Sequence, residues 1–460
     1  MKKANGSQHT LRSLKQMTES FTERYDQSNY AIYLPSLQKT YAQFAWKKNK
    51  DVKRKAKIPK TFKTEWLNFL DDKSKLWHCG YSLYSAGQFN SARIGPRDIV
   101  AERDRSKTTI VGDSGGFQLG TGAITSNSEK SHLNAYRNDP QAQFDNWYHC
   151  GFRERSLKWL ERYTDYAMTL DMVLWAKNND GSQLHHLTTQ QLIDLSVDNL
   201  RYFSDNRGKE RRTTKFLSVL QDIGDGTGEA WYQAVKDFEF EGYALGSETG
   251  RMMDSLWWLR RLLNDGRLDK AEWIHCLMKS PPINSVVYSA VQRSLQKALG
   301  RENFKISLDS SSPSQMAGKN RSFARNDPLT SDIKTWMIGS DAMKQDIRIA
   351  RGEIQLPVPN DSPLNEFMTL NDMYAHADDY SDYFVDNWTE YLMVNHNMYS
   401  FHRTHFEACD LVFDTEKQDS SKVPGQLSEA VELIERYFLN EDIGAVEVRL
   451  EELLGKFRYH

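Results

Sequence analysis

From about residue 76 onward the chain repeats one pattern, a short apolar run ending in a polar residue and then a helical stretch. Such alternation is the mark of an α/β protein, parallel strands joined by crossover helices, as an open sheet or a closed barrel. The runs are Thr109-Ile110-Val111-Gly112-Asp113, Ala167-Met168-Thr169-Leu170-Asp171, Phe216-Leu217-Ser218-Val219-Leu220-Gln221, Tyr243-Ala244-Leu245-Gly246, Trp273-Ile274-His275-Cys276-Leu277-Met278 and Phe304-Lys305-Ile306-Ser307-Leu308-Asp309. Between Gln221 and Asp309 successive ends lie about 25 to 32 residues apart, room for one strand and one helix each. The spacing predicts a (β/α)8 TIM-like barrel, with insertions in the longer gaps before Gln221. In such barrels the C-terminal strand ends face the active site, so a polar residue at each end reads as a lined pocket. A single Asp or Gly there is equally a turn residue, and six in succession weaken that reading.

The organisation expected around the barrel is a basic, mostly helical N-terminal extension over residues 1–75, the barrel over 76–415 and a helical C-terminal tail over 416–460. Insertions are expected near 120–160, rich in Ser, Asn and Tyr, and near 355–390, which holds Pro357, Pro359 and Pro363. In the tail, Val431, Ile434 and Leu439, then Val446, Leu450 and Leu453, have the spacing of two amphipathic helices separated near Asn440. At 39% hydrophobic residues, with 12 Trp, 21 Tyr and 21 Phe, the chain has ample material for a core. No apolar run approaches a membrane span and no leader follows Met1-Lys2-Lys3, so a cytoplasmic protein is expected. Four scattered cysteines, with no CxxC pair, fit a reducing compartment.

The net charge of −2 conceals an asymmetry. Residues 1–75 carry 17 Lys and Arg against 7 Asp and Glu, a balance of +10, which leaves −12 for the rest. Trp46, Lys47, Lys48, Lys53, Arg54, Lys55 and Lys57 fall in one basic run, the composition of an arm that tracks phosphates. A solvated helix face is the alternative reading of the same charges.

The most specific string is Val111-Gly112-Asp113-Ser114-Gly115-Gly116-Phe117-Gln118. Here the sequence resembles the tRNA-guanine transglycosylases, whose pocket signature is DSGGFQ after a barrel strand. Over residues 105–320, Asp171, Gln221, Tyr243-Ala244-Leu245-Gly246, Leu277-Met278 and Asp309 follow in the order of that family's guanine-binding and nucleophilic positions, with a weaker echo at Asn395-His396-Asn397. The resemblance implies Asp309 as nucleophile and Asp113 as general acid/base. It implies a base site of Asp171, Gln221, Gly246, Ser247, Ser114, Gly115 and Gly116, with Phe117 and Met278 sandwiching the base. Base exchange needs these residue types in any case. A carboxylate can trap the sugar covalently, a second acid can manage the proton on the base, and a guanine edge needs an acceptor for its N1–H and donors for its O6.

Two departures from the family pattern matter. The family's zinc site uses a CxCxxC cluster and a later histidine; His396 falls at the histidine, but no CxCxxC exists here, so no metal and no cofactor is expected. A substitute set of His396, His402, His405 and Cys409 is the weaker alternative. Beside Asp309 the family's tRNA-reading arginines are replaced by Gln315 and a shifted Gly318-Lys319-Asn320-Arg321. With the basic arm, this implies the DNA-modifying branch in a bacterial cytoplasm or phage-infected host, replacing guanine in DNA with a 7-deazaguanine such as preQ0. Lys319 and Arg321 join the arm as nucleic-acid contacts. The alternatives are the same exchange on tRNA, and a non-catalytic subunit of the same fold, against which Asp113 and Asp309 both argue. An accessory protein or a homodimer is compatible with either.

Overall fold

In the computed structural model, the described residues are 29–52, 58–89, 97–122, 151–180, 182, 184–224, 226–247, 251–278, 281–324, 327–329, 334–337, 346–358, 362–376 and 383–455. Eight parallel strands close into a barrel: β1 (Ile32–Leu37), β2 (Tyr81–Ser85), β3 (Thr109–Asp113), β4 (Tyr166–Met168), β5 (Lys215–Asp222), β6 (Gly242–Ser247), β7 (Trp273–Cys276) and β8 (Lys305–Ser310). Closure is made by β1 against β8, with Ile32 opposite Ser307 and Leu34 opposite Asp309. The chain is therefore an α/β protein with a (β/α)8 barrel, as its spacing predicts.

Helices α1 (Lys39–Trp46), α2 (Gly116–Gly120), α3 (Phe152–Tyr163), α4 (Thr189–Asn206), α5 (Thr227–Val235), α6 (Met252–Asn264) and α7 (Ile283–Leu299) lie between the strands. Beyond β8 come α8 (Ser312–Gly318) and the long α9 (Asn387–Phe413), then α10 (Gly425–Phe438) and α11 (Ile443–Leu454). Local chemistry sets several of their starts. Thr188 accepts from the Gln191 N–H while Gln191 Oε1 accepts from the Thr188 N–H, a reciprocal cap on α4. Asp386 caps α9 through the Thr389 N–H. No helix among the described residues is long and apolar enough to cross a membrane.

Two apolar layers result. Ile32, Leu34, Leu83, Val111, Met168, Leu217, Val219, Ala244 and Trp273 fill the barrel interior. A larger core joins the outer strand faces to the surrounding helices. Helix α9 is buried on nearly all sides, including Asn395, His396, Asn397, His402 and His405, because it packs across α7, α8 and β1. Such a helix must satisfy its polar groups internally. Asn395 donates to the Tyr41 hydroxyl, and Asn397 to the carbonyls of Pro313 and Arg321.

The expected domain boundaries need three corrections. The barrel begins inside 1–75, since β1 and α1 belong to it, so residue 75 is no boundary. Pro35 hides β1, because proline has no N–H for a sheet ladder and reads as a strand end. The 120–160 insertion stops short of 160, because α3 starts at Phe152; residues 123–150 lie outside the described part. Similarly α9 starts at Asn387, inside the expected 355–390 insertion. The tail has its two helices, split where Asn440 adopts a positive φ of 62°.

Candidate functional site

Side chains alternate along a strand, so each interior residue predicts which residue points into the barrel two positions on. From Leu34 that residue is Ser36, from Leu83 Ser85, from Val111 Asp113, from Val219 Gln221, from Ala244 Gly246 and from Ser307 Asp309. All sit at C-terminal strand ends. One mouth thus collects six polar or glycine positions contributed by six strands.

Asp309 is 7% exposed and held from three sides. Its Oδ2 accepts from Ser36 Oγ at 2.9 Å, and its Oδ1 accepts from the Met278 N–H at 2.9 Å. The fully buried His275 brings Nε2 to 3.4 Å from the same Oδ1. Burial alone would raise this carboxyl, but His275, the Met278 amide and Ser36 outweigh it and hold Asp309 below the usual carboxylate range. The Met278 amide reaches it because the backbone there takes a left-handed turn, φ 56°.

Asp113 behaves in the opposite sense. Burial pushes it up, the charge of Asp309 adds to that, and Ser85 with the Gly115 N–H at 3.3 Å offsets only part. Asp171, in the loop that follows β4, is buried and pushed up to about 7, first by burial and then by the charge of Asp113. Gln221 donates through Nε2 to Asp171 Oδ2 and accepts the Leu174 N–H at 2.8 Å. Its amide therefore orients Asp171 and keeps one further N–H.

The glycine pair in the motif has a steric reason. Gly115 adopts φ 100°, and a Cβ there would lie 2.8 Å from Gly87 Cα. At Gly116 a Cβ would lie 2.6 Å from Asp171 Oδ1, so this backbone touches the acceptor carboxylate. Ser114 is buried, with its carbonyl accepting from Ser156 Oγ at 2.8 Å, a tie to α3. Phe117, which follows Gly116, is 48% exposed with its ring 5.7 Å from that of Trp175, and Met278 is 54% exposed. Two open apolar side chains next to three recessed carboxylates suit a flat heterocycle. Gly246 and Ser247 pair with Gln221 and Asp222 at the end of β6.

The expected nucleic-acid contacts lie on the surface, in a short sheet or outside the described residues. Trp46 ends α1, 39% exposed with the Arg97 guanidinium 5.9 Å from its ring centre, and Lys47 and Lys48 follow it on the surface. Lys53, Arg54, Lys55 and Lys57 lie outside the described residues. Lys319 is exposed beyond α8, and Arg321 bonds Thr335 Oγ1 at 3.1 Å across a short hairpin. The alternative metal set is spent on structural partners. His396 Nε2 meets the Phe323 carbonyl at 2.9 Å, His405 stacks on Tyr33 at 4.4 Å, and Cys409 lies 3.4 Å from Ser289 Oγ. Burial holds His402 down, to about 3. Among the described residues no group of three or more His, Cys, Asp or Glu could hold a metal ion.

Sequence reasoning missed Ser36, Ser85 and His275. A signal existed for the first two, since strand alternation aims them inward once β1 and β2 are recognised. The assembled mouth offers one carboxyl held below its ordinary range and two pushed above it, beside an apolar rim. No protein-family model matches this chain, and no curated protein matches it.

Proposed function

We propose that this protein is a base-exchange glycosyltransferase that replaces guanine in DNA with a 7-deazaguanine through a covalent intermediate on Asp309. The observation that carries this reading is the opposed behaviour of two carboxylates at one mouth, Asp309 held down and Asp113 pushed up. Pairs of acids driven apart in this way divide the roles of nucleophile and proton carrier.

In the first step an oxygen of Asp309 forms a bond to C1′ as the bond from C1′ to guanine N9 breaks. The electron pair leaves on guanine, which takes a proton from Asp113. In the second step the incoming 7-deazaguanine gives its proton to Asp113 and bonds C1′ through nitrogen, and the pair of the C1′–O bond returns to Asp309. Asp171 accepts from the N1–H and amino group of the base, with Gln221 behind it. A target within duplex DNA must be flipped from its stack, costing a few kcal/mol.

The test is incubation with labelled 7-deazaguanine and either plasmid DNA or total tRNA. Label in DNA supports the reading. Label in tRNA alone assigns the same chemistry to the other polymer, and label in neither removes it.

A further inference from the structure

A polar chain runs through the barrel interior beneath the nucleophile. Trp273 Nε1 can only donate, and it gives its proton to Ser307 Oγ at 2.7 Å. Ser307 Oγ lies 2.9 Å from His275 Nδ1 and 3.5 Å from the Ile274 carbonyl. Its single proton therefore has one good acceptor, Nδ1, whose lone pair is free only when the imidazole proton sits on Nε2. That Nε2 is buried, has no hydrogen-bond partner among the described residues, and faces Asp309 Oδ1 at 3.4 Å. A buried donor whose nearest polar neighbour is a carboxylate is a costly arrangement unless that neighbour needs it.

We propose that His275 is a positioning residue for Asp309, its Nε2–H fixed by the relay from Trp273 through Ser307 and aimed at the carboxylate to support its negative charge. This rests on the proposed role of Asp309 as nucleophile. Covalent attack consumes that charge and departure of the sugar restores it, so a donor below the carboxylate favours the second step and keeps the free enzyme ready for the first. Apolar side chains of the barrel interior surround Trp273. The other titratable groups that sense this pair are Asp113 on β3, influenced by both Asp309 and His275, and Tyr33 on β1, influenced by Asp309.

The experiment follows the Asp309 carboxyl by carbon NMR across pH in the full chain, for wild type, His275→Phe, His275→Gln and Ser307→Ala, beside the pH profile of label incorporation. With its donor removed, Asp309 should titrate higher in His275→Phe by about one pH unit or more, the scale of one charge-assisted partner. Since exchange needs ionised Asp309, the acid limb of the profile should move up by the same amount. His275→Gln, which retains an N–H, should stay near wild type, and Ser307→Ala should shift in the direction of His275→Phe. If His275→Phe does not fold, the ordering of Ser307→Ala above His275→Gln decides. An Asp309 titration unmoved in folded His275→Phe, or unmoved in Ser307→Ala, overturns the proposal. A titration that moves as expected with no exchange on any polymer keeps the His275 assignment and sinks base exchange instead.

Discussion

Burial raises all three carboxylates of the mouth, and the partners of each decide its final state. Asp309 has a histidine, an amide and a hydroxyl and ends below its ordinary range, whereas Asp171 has one amide side chain and a neighbouring acid and ends at about 7. A guanine-like edge presents donors, which an ionised Asp171 accepts and a protonated one meets with its own proton. Affinity for free 7-deazaguanine should therefore rise as pH rises through about 7 and level off above it. Calorimetric titration below, at and above that value checks this, and Asp171→Ala should lose about 1–3 kcal/mol on the high-pH side, with the pH dependence abolished. Equal affinity in wild type and variant would make Asp171 a turn residue. These acids were legible in the sequence because each ends an apolar run or lies in the motif. His275 was not, since a histidine within a strand reads as core, and Ser36 reaches Asp309 only once the barrel closes β1 on β8.

At the scale of elements, the turn between β3 and α2 separates two kinds of glycine. Gly115→Ala puts a side chain on a left-handed backbone and against Gly87, so stability should fall by about 1–3 kcal/mol. Gly116→Ala starts a helix with an acceptable backbone but would bring its Cβ to 3.0 Å from the Asp171 carbonyl, so its melting temperature should fall less than that of Gly115→Ala. Its new methyl would displace the Asp171 carboxylate, and base affinity should fall as it does in Asp171→Ala. Thermal melts and calorimetry on both variants separate fold from site; wild-type affinity in Gly116→Ala would mean that the base does not use this carboxylate. The strands β3 to β8 were readable as apolar runs with polar ends. By contrast β1 carries Pro35, and four of the five residues of β2 are Ser or Tyr, with Ser82 buried because its hydroxyl donates to the Pro35 carbonyl at 2.6 Å. Both were lost to the same cause, polar or ring-constrained residues whose partners exist only in the closed barrel.

Across the whole molecule, positive charge gathers in the first 75 residues while the rest is acidic. Lysines act on phosphates by releasing counterions, an effect blind to base sequence and steep in salt. Neutralising Lys53, Arg54, Lys55 and Lys57 together should flatten the slope of log affinity for DNA against log salt, by up to roughly 0.9 per lost phosphate contact. Exchange at saturating DNA should persist, and an unchanged slope would make this run an ordinary solvated surface. The most direct test of base exchange through Asp309 is transfer of labelled 7-deazaguanine into DNA by wild type and by Asp309→Asn, with the melting temperature of each. Label should appear in DNA with wild type and not with Asp309→Asn, and both should melt cooperatively. Transfer by Asp309→Asn at the wild-type rate would contradict it.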